Sequence, residues 1–282
     1  MKRNKSFASE TPFYFVATPI GNLDEFSLRA QLVLLEADFI CVEDTRISMK
    51  LLNAFNIRKK LITVHKFSEQ AKVDEIIDKL KSGLKGAFLS DAGYPLISDP
   101  GARLLDSLLA HDIPVSVING PSAFLPALVL SNLPVLPFTF LGFLPSKEGE
   151  LKRTLEKIKY RPETLVIYEA PHRVSRTIKT LFEVFGERSL VIARELTKIN
   201  EEYIYTTLSE FSKESIALRG EIVLVVQGLI PAKEHDLQKY NDHVKLLIEE
   251  NYKSSEAIKI VSLLFNINKN ELYEYHLKHK DD

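Results

Sequence analysis

The sequence contains one cysteine, Cys41, in 282 residues, which excludes a disulfide framework and any cysteine-rich zinc site. It has no excess of charge of either sign: 37 basic and 38 acidic residues leave a formal −1. Contact with a polyanion therefore has to come from a local basic patch, not from a global field. No apolar run reaches membrane-spanning length, so no membrane partner is expected. Met1 to Thr11 is polar and basic, without the apolar centre of a secretory signal. A cytoplasmic enzyme of bacterial type is the expectation. Repeats and low-complexity tracts are absent, as are a Walker motif and any Gly-x-Gly-x-x-Gly after a strand-like run. A conventional dinucleotide or nucleoside-triphosphate site is disfavoured on that ground.

What is present is an ordinary globular composition, 45% hydrophobic and 27% charged, at a length that suits two domains with a small appendix. Short β-branched and aromatic runs alternate with segments of helical period. Strands are predicted over Phe13–Ala17, Phe39–Val42, Leu61–His65, Ala87–Ser90 and Val115–Ile118, and helices over Ser27–Glu36, Ser48–Phe55, Val73–Lys81 and Gly101–His111. The strands are almost wholly apolar, as in a parallel sheet covered on both faces, so the first domain is read as α/β.

Another helix is expected to start at Gly120-Pro121-Ser122, after which Leu133-Pro134-Val135-Leu136-Pro137 reads as a connector. Strands then recur at Phe138–Phe143, Thr164–Tyr168, Ser189–Ala193, Tyr203–Thr207 and Glu221–Val226, with helices over Leu151–Lys159 and Arg173–Phe185. The last three strands have little helix between them, so this sheet is expected to be mixed. Beyond Pro231, Leu237–Glu250, Ser254–Phe265 and Lys269–Lys280 read as three short helices, with Ser254 and Asn268 as N-caps. The expected domains are a flexible basic tail over 1–11, an α/β domain over 12–136, a second over 137–230, and a helix-turn-helix-like appendix over 235–282. The appendix reads equally well as a packing module.

Polar clusters fall at the strand ends, where open α/β sheets gather their ligands. The loop Ser90-Asp91-Ala92-Gly93-Tyr94-Pro95 combines small residues, which let a ligand approach the backbone, with a stiffening proline. Asp99, further on, is a candidate cap for the helix that follows. Asn119-Gly120-Pro121-Ser122-Ala123 offers backbone N–H groups and a hydroxyl to a carboxylate or a ribose, or is simply a capped helix start. Glu43-Asp44-Thr45-Arg46 is a charged cluster or a salt bridge within its own loop. Tyr168-Glu169-Ala170-Pro171-His172-Arg173 and Arg194-Glu195-Leu196-Thr197-Lys198 complete the set, while His65, with Glu69 four residues on, ends the third strand. Five such clusters in two domains imply a shared cleft.

In this order these segments resemble the tetrapyrrole methylase superfamily, and within it the ribosomal RNA small subunit methyltransferase I family. The matching stretches are Ala17-Thr18-Pro19-Ile20-Gly21-Asn22-Leu23, Glu43–Arg46, Ser90–Gly101, Gly120–Ala123, Gly142-Phe143-Leu144-Pro145, Tyr168–Arg173, Ala193–Lys198 and Arg219-Gly220-Glu221. The resemblance implies a two-domain α/β homodimer that holds S-adenosyl-L-methionine between its domains and releases S-adenosyl-L-homocysteine, without a metal. The implied reaction is 2′-O-methylation of a cytidine in the decoding region of small-subunit (16S) rRNA, within the assembled small ribosomal subunit. Carried onto this chain, Asp91, Ala92, Gly93, Ile97, Ser122, Ala123 and Tyr168 are the implied cofactor contacts. Glu43, Asp44 and Glu169 are candidate bases, with Arg173 and Lys198 as electrostatic partners. Arg46, His65, His172 and Arg194 are candidate RNA contacts. The chain departs from the family pattern at Tyr94, where Thr is usual, at Ser68 in place of Asn, and at Asn119 in place of Pro. Of these, Tyr94 sits at the mouth of the implied pocket.

Methyl transfer to a ribose hydroxyl needs alignment, and a base or a cation to help a poor nucleophile. Arg58-Lys59-Lys60 and Lys147 with Lys152, Arg153, Lys157, Lys159 and Arg161 are the local basic stretches, each also readable as a solvated face. Two other functions remain open: a small-molecule, tetrapyrrole-type methylase, or a non-catalytic RNA-binding ribosome-assembly factor.

Overall fold

The computed structural model describes residues 11–64, 69–97, 99, 101–214, 218–230 and 234–279. His65 and Ser68 lie outside them. Five strands, β1 (Phe13–Val16), β2 (Phe39–Val42), β3 (Lys60–Thr63), β4 (Gly86–Leu89) and β5 (Val115–Ile118), form one sheet in the order β3-β2-β4-β1-β5. Every pairing in it is parallel.

Helices α1 (Leu28–Glu36), α2 (Thr45–Ala54), α3 (Glu69–Lys81) and α4 (Ala102–Ala110) cover both faces. Alternation along each strand decides which helix meets which residue. Phe13, Phe15, Phe39, Cys41 and Phe88 pack with Val73, Ile76 and Leu80 of α3 and Leu104 and Leu108 of α4. Val16, Ile40, Val42 and Leu89 pack on the opposite side, with Ala30 and Leu34 of α1 and Leu52 of α2. The chain thus leaves β1 toward one face and β4 toward the other, which opens a crevice at their carboxyl ends. Cys41, the single cysteine, is fully buried, and burial pushes its thiol far above the ordinary range.

The second sheet consists of β6 (Phe138–Phe143), β7 (Thr164–Glu169), β8 (Ser189–Arg194), β9 (Glu202–Thr207) and β10 (Ile222–Val226), in the order β6-β7-β10-β8-β9. Only β6 and β7 run parallel; β10 is antiparallel to both neighbours, and β9 to β8, so the sheet is mixed as expected. One face packs on α6 (Glu148–Glu156), α7 (Val174–Phe185) and α8 (Leu208–Lys213). The other receives α5 (Phe124–Val129), which follows the last strand of the first sheet. Ala127 and Leu128 of α5 pack with Val166, Val191, Val223 and Val225 of the second sheet. Phe124 stacks on Phe140 at a centroid distance of 4.6 Å. Burying a side chain such as Leu128 contributes about 1.5–3 kcal/mol, so this contact is a firm seam between the two sheets.

The carboxyl-terminal helices α9 (Glu234–Glu249), α10 (Ser254–Phe265) and α11 (Lys269–Lys278) form their own small core around Val244, Ile258, Val261 and Leu272. No helix among the described residues is long and apolar enough to cross a membrane.

Several local expectations are corrected. The helix expected at Gly120 starts only at Phe124, with Ala123 rather than Ser122 at its N-cap. Lys253, not Ser254, stands at the N-cap of α10, where its backbone N–H donates to Glu256 Oε2 at 3.4 Å and its carbonyl accepts the Glu256 N–H at 2.9 Å; Asn268 does cap α11, accepting from the Asn270 N–H. Gly101, not Asp99, precedes α4. The short helix α8 had no strong period to reveal it; a capping box between Thr207 and Glu210 fixes its start.

Candidate active site

Both sheets point the same edge at one cleft of about 350 Å³. The first supplies Ile20 after β1, then Ala92, Gly93, Tyr94, Ile97 and Asp99 after β4, and Ser122, Ala123 and Phe124 after β5. The second supplies Phe143 at the end of β6, Tyr168 to Pro171 at the end of β7, Leu196 after β8, and Gly220 to Val223 at the start of β10.

The β4 loop is held from beneath. Thr18 and Gly93 exchange two backbone hydrogen bonds, Thr18 N–H to Gly93 O at 2.9 Å and Gly93 N–H to Thr18 O at 3.1 Å. The Ser90 hydroxyl donates to Gly93 O at 2.7 Å, and the Thr18 hydroxyl to Ser90 O at 3.2 Å. Gly93 has φ +74°, a conformation open to glycine at little cost. Tyr94 spans to the neighbouring loop, where its hydroxyl oxygen accepts the Gly120 N–H at 3.3 Å. The bulky residue at this position therefore ties the β4 and β5 loops together.

The β7 loop is fixed by a buried carboxylate. Glu169 Oε1 accepts the Ala170 N–H at 2.8 Å, and Oε2 accepts the Thr177 hydroxyl at 2.6 Å. Arg173 Nε lies 3.1 Å from Oε1, while its Nη2 donates to Leu144 O at 2.8 Å and Pro145 O at 3.0 Å. The guanidinium thus pins the loop after β6 to the loop after β7. His172 stands exposed between them.

On the next strands, Lys198 Nζ bridges Glu195 Oε1 at 2.9 Å and Glu221 Oε2 at 3.2 Å. Glu195 Oε1 also accepts the Glu221 N–H at 3.0 Å. Gly220, at φ +88°, leaves room for this carboxylate: a Cβ there would lie 2.3 Å from Glu195 Oε1. Glu195 and Thr197 both have positive φ, at 51° and 67°, so the turn that presents Leu196 to the cleft is a strained one. Arg194 is turned aside, bonded to Glu202 at 2.8 Å and to Arg219 O at 3.1 Å.

The β2 loop stands behind the cleft. Asp44 caps α2 through the Arg46 N–H at 2.8 Å and pairs with the Arg46 guanidinium at 2.5 Å. Those bonds hold its carboxyl down at about 2. Its own N–H donates to Asp91 Oδ1 at 3.4 Å. Asp99 is pushed the other way, up to about 6, by burial first and then by the negative charges of Glu43 and Asp91. Burial likewise raises the Tyr168 phenol.

Of the residues singled out in the sequence, Ala92, Gly93, Ile97, Ser122, Ala123, Tyr168 and Glu169 line the cleft. Asp91, Glu43, Asp44, Arg173 and Lys198 stand beside it, tied to neighbours or to one another through the contacts above. Arg46 is exposed at its side. Ile20, Phe124, Phe143, Leu196 and the segment Gly220 to Val223 were not expected as lining. The last escaped because β10 is antiparallel: Ile222 pairs with Glu169 and Val223 with Tyr168, so its amino end lies at the edge where β7 ends. Among the described residues no group of three or more His, Cys, Asp or Glu is arranged to hold a metal ion.

Residues 12–212 match the family of Tetrapyrrole (Corrin/Porphyrin) Methylases. Among solved structures, uroporphyrin-III-C-methyltransferase from Thermus thermophilus superposes with a TM-score of 0.53 at 20% identity, over 76% of this chain and 93% of that one; this likeness shows the fold. "Ribosomal RNA small subunit methyltransferase I" of Streptococcus pyogenes serotype M3 is 39% identical over 97% of this chain and 98% of its own length. The proteins of that name from Bacillus subtilis and Vibrio cholerae are 37% and 38% identical, each over 99% of both chains. The chain therefore belongs to the tetrapyrrole methylase family and, within it, to the ribosomal RNA small subunit methyltransferase I family.

Proposed function

We propose that this protein transfers a methyl group from S-adenosyl-L-methionine to small-subunit rRNA, at the 2′-hydroxyl of a cytidine in the decoding region. The observation that carries the reading is the two-walled cleft of about 350 Å³, in a chain whose relatives over nearly full length are named ribosomal RNA small subunit methyltransferase I. Its size is at the lower end of the range for small-molecule sites, about 300–1,000 Å³.

The lining fits the cofactor's chemistry. Ile20, Phe124, Leu196 and Val223 offer an apolar bed, Ser122 and Tyr168 offer hydroxyls, and Gly93 allows close approach of the backbone. Asp91 and Glu43 give one side negative charge, which suits a ligand carrying a sulfonium and an ammonium group. When bound, the cofactor supplies an electrophilic methyl group. The chain's residues then have to align it and exclude water: Ala92, Gly93, Ile97, Ser122, Ala123 and Tyr168 do so by contact, with Asp91 one step behind. Glu169 and Arg173 act as positioning residues, because their polar atoms already hold two loops. Lys198 is positioned by Glu195 and Glu221 at the rim.

Arg46 and His172, exposed beside the cleft, are the proposed RNA contacts. Arg194 is a weaker candidate, since Glu202 neutralises it. The basic stretches are largely engaged locally: Lys59 donates to Leu35 O, and Lys147, Lys152, Lys159 and Arg161 each pair with a glutamate. Val129 and Leu136, 67% and 76% exposed beside the seam, are the apolar surface we assign to a homodimer. Calorimetry with S-adenosyl-L-methionine, followed by methyl transfer to small ribosomal subunits, tests the reading. Binding without transfer to RNA points to a small-molecule methylase, and no binding to an assembly factor.

A further inference from the structure

We infer that Asp99 is the base of this site, the carboxylate that takes the proton from the hydroxyl being methylated. The inference rests on the rRNA-methylation reading above and names a residue for its least assigned step.

The other carboxylates around the cleft are engaged. Both oxygens of Glu169 are held, by Ala170, Arg173 and Thr177. Both oxygens of Asp44 face Arg46, and one of them also caps α2. Glu195 and Glu221 share Lys198. Asp99 alone combines a place in the cleft wall with a carboxyl that no hydrogen bond from a described residue stabilises. The charged groups that face it are Glu43 from the β2 loop and Asp91 from its own loop, both negative. Across the cleft it acts on the Tyr168 phenol, itself raised by burial, with Glu221 further along the same wall. The nearby cations Arg173 and Lys198 are bound to Glu169, Glu195 and Glu221. Burial and like charge together bring the group to about 6, where a base is both ionised and basic enough near neutral pH.

In the step, the hydroxyl proton passes to an Asp99 carboxylate oxygen. The hydroxyl oxygen forms its bond to the methyl carbon, and the electron pair of the broken sulfur–methyl bond stays on sulfur. The neutral acid then returns its proton to water.

The test uses the full chain with Asp99→Asn and Asp99→Glu. Three quantities are measured: calorimetric affinity for S-adenosyl-L-methionine, single-turnover transfer to small subunits across about pH 5 to about pH 9, and the carboxyl titration of ¹³C-labelled aspartate, assigned from the Asn variant. The wild-type rate is expected to rise with pH and level off above about 6. Asp99→Asn should lose about 10²- to 10⁴-fold in rate and its pH dependence while cofactor affinity holds within about threefold, and Asp99→Glu should recover part of the rate. An Asn variant of wild-type rate, or one whose affinity falls in step with its rate, overturns the inference; the second result makes Asp99 a cofactor anchor. If the wild type methylates no rRNA, the substrate reading fails by itself. The titration still decides about Asp99: a midpoint in the ordinary carboxylate range removes it as a base.

Discussion

Arg173 Nε lies 3.1 Å from Glu169 Oε1, with the glutamate side chain fully buried and the arginine only 14% exposed. That nitrogen makes an ion pair without an aligned hydrogen bond, while Nη2 carries the bonds to the Leu144 and Pro145 carbonyls. The pair is therefore a bracket between two cleft loops.

Glu169→Ala removes one partner of this buried pair and strands the Arg173 charge, the Ala170 N–H and the Thr177 hydroxyl. The expected cost is about 3–5 kcal/mol. Glu169→Gln, which keeps an acceptor, should cost about 1–3 kcal/mol. Urea unfolding reads both. A Glu169→Ala variant of wild-type stability but without activity would return Glu169 to the role of base.

Tyr94→Phe keeps the ring and removes the acceptor for the Gly120 N–H. It should cost about 1 kcal/mol, close to a fivefold loss of cofactor affinity if the two loops must stay in register. Calorimetry on the variant checks this. Unchanged affinity means that the ring, not the hydroxyl, sets the position of the loops.

Much of this architecture was legible in the residues. Phe39–Val42, Val115–Ile118 and Phe138–Phe143 are strands with the ends read from the sequence; in the first, burial of all four residues leaves the apolar run uninterrupted. The loop residues Ala92, Gly93, Ser122 and Tyr168 were legible because strand ends gather ligands. What stayed hidden depends on pairing across the chain. No local pattern says that β10 runs backwards and brings Gly220 to Val223 to the cleft, nor that α5 leaves the first sheet to pack on the second. The state of Asp99 was hidden for the same reason, since it is set by burial and then by Glu43 and Asp91; the pairing of Asp44 with Arg46 inside their own loop was, by contrast, one of the two readings the residues offered.

Asp44 gives a prediction in pH. Its folded value, about 2, lies below the ordinary 3.8. The stabilisation it provides is thus complete above the unfolded value and fades as pH falls through about 2. Carboxyl NMR should place its midpoint near 2, and Arg46→Ala should move it up toward 3.8. A midpoint unmoved by Arg46→Ala would show that the cap on α2, not the guanidinium, holds the carboxyl down.

The most direct measurement combines mass mapping of small-subunit rRNA from cells with and without this gene and transfer of labelled methyl by the purified protein to the unmodified subunit. The account predicts one 2′-O-methylcytidine in the decoding region that is lost with the gene and restored by the protein with S-adenosyl-L-methionine. Small-subunit rRNA with the same modifications in both strains, and no label transferred to it, would contradict the account.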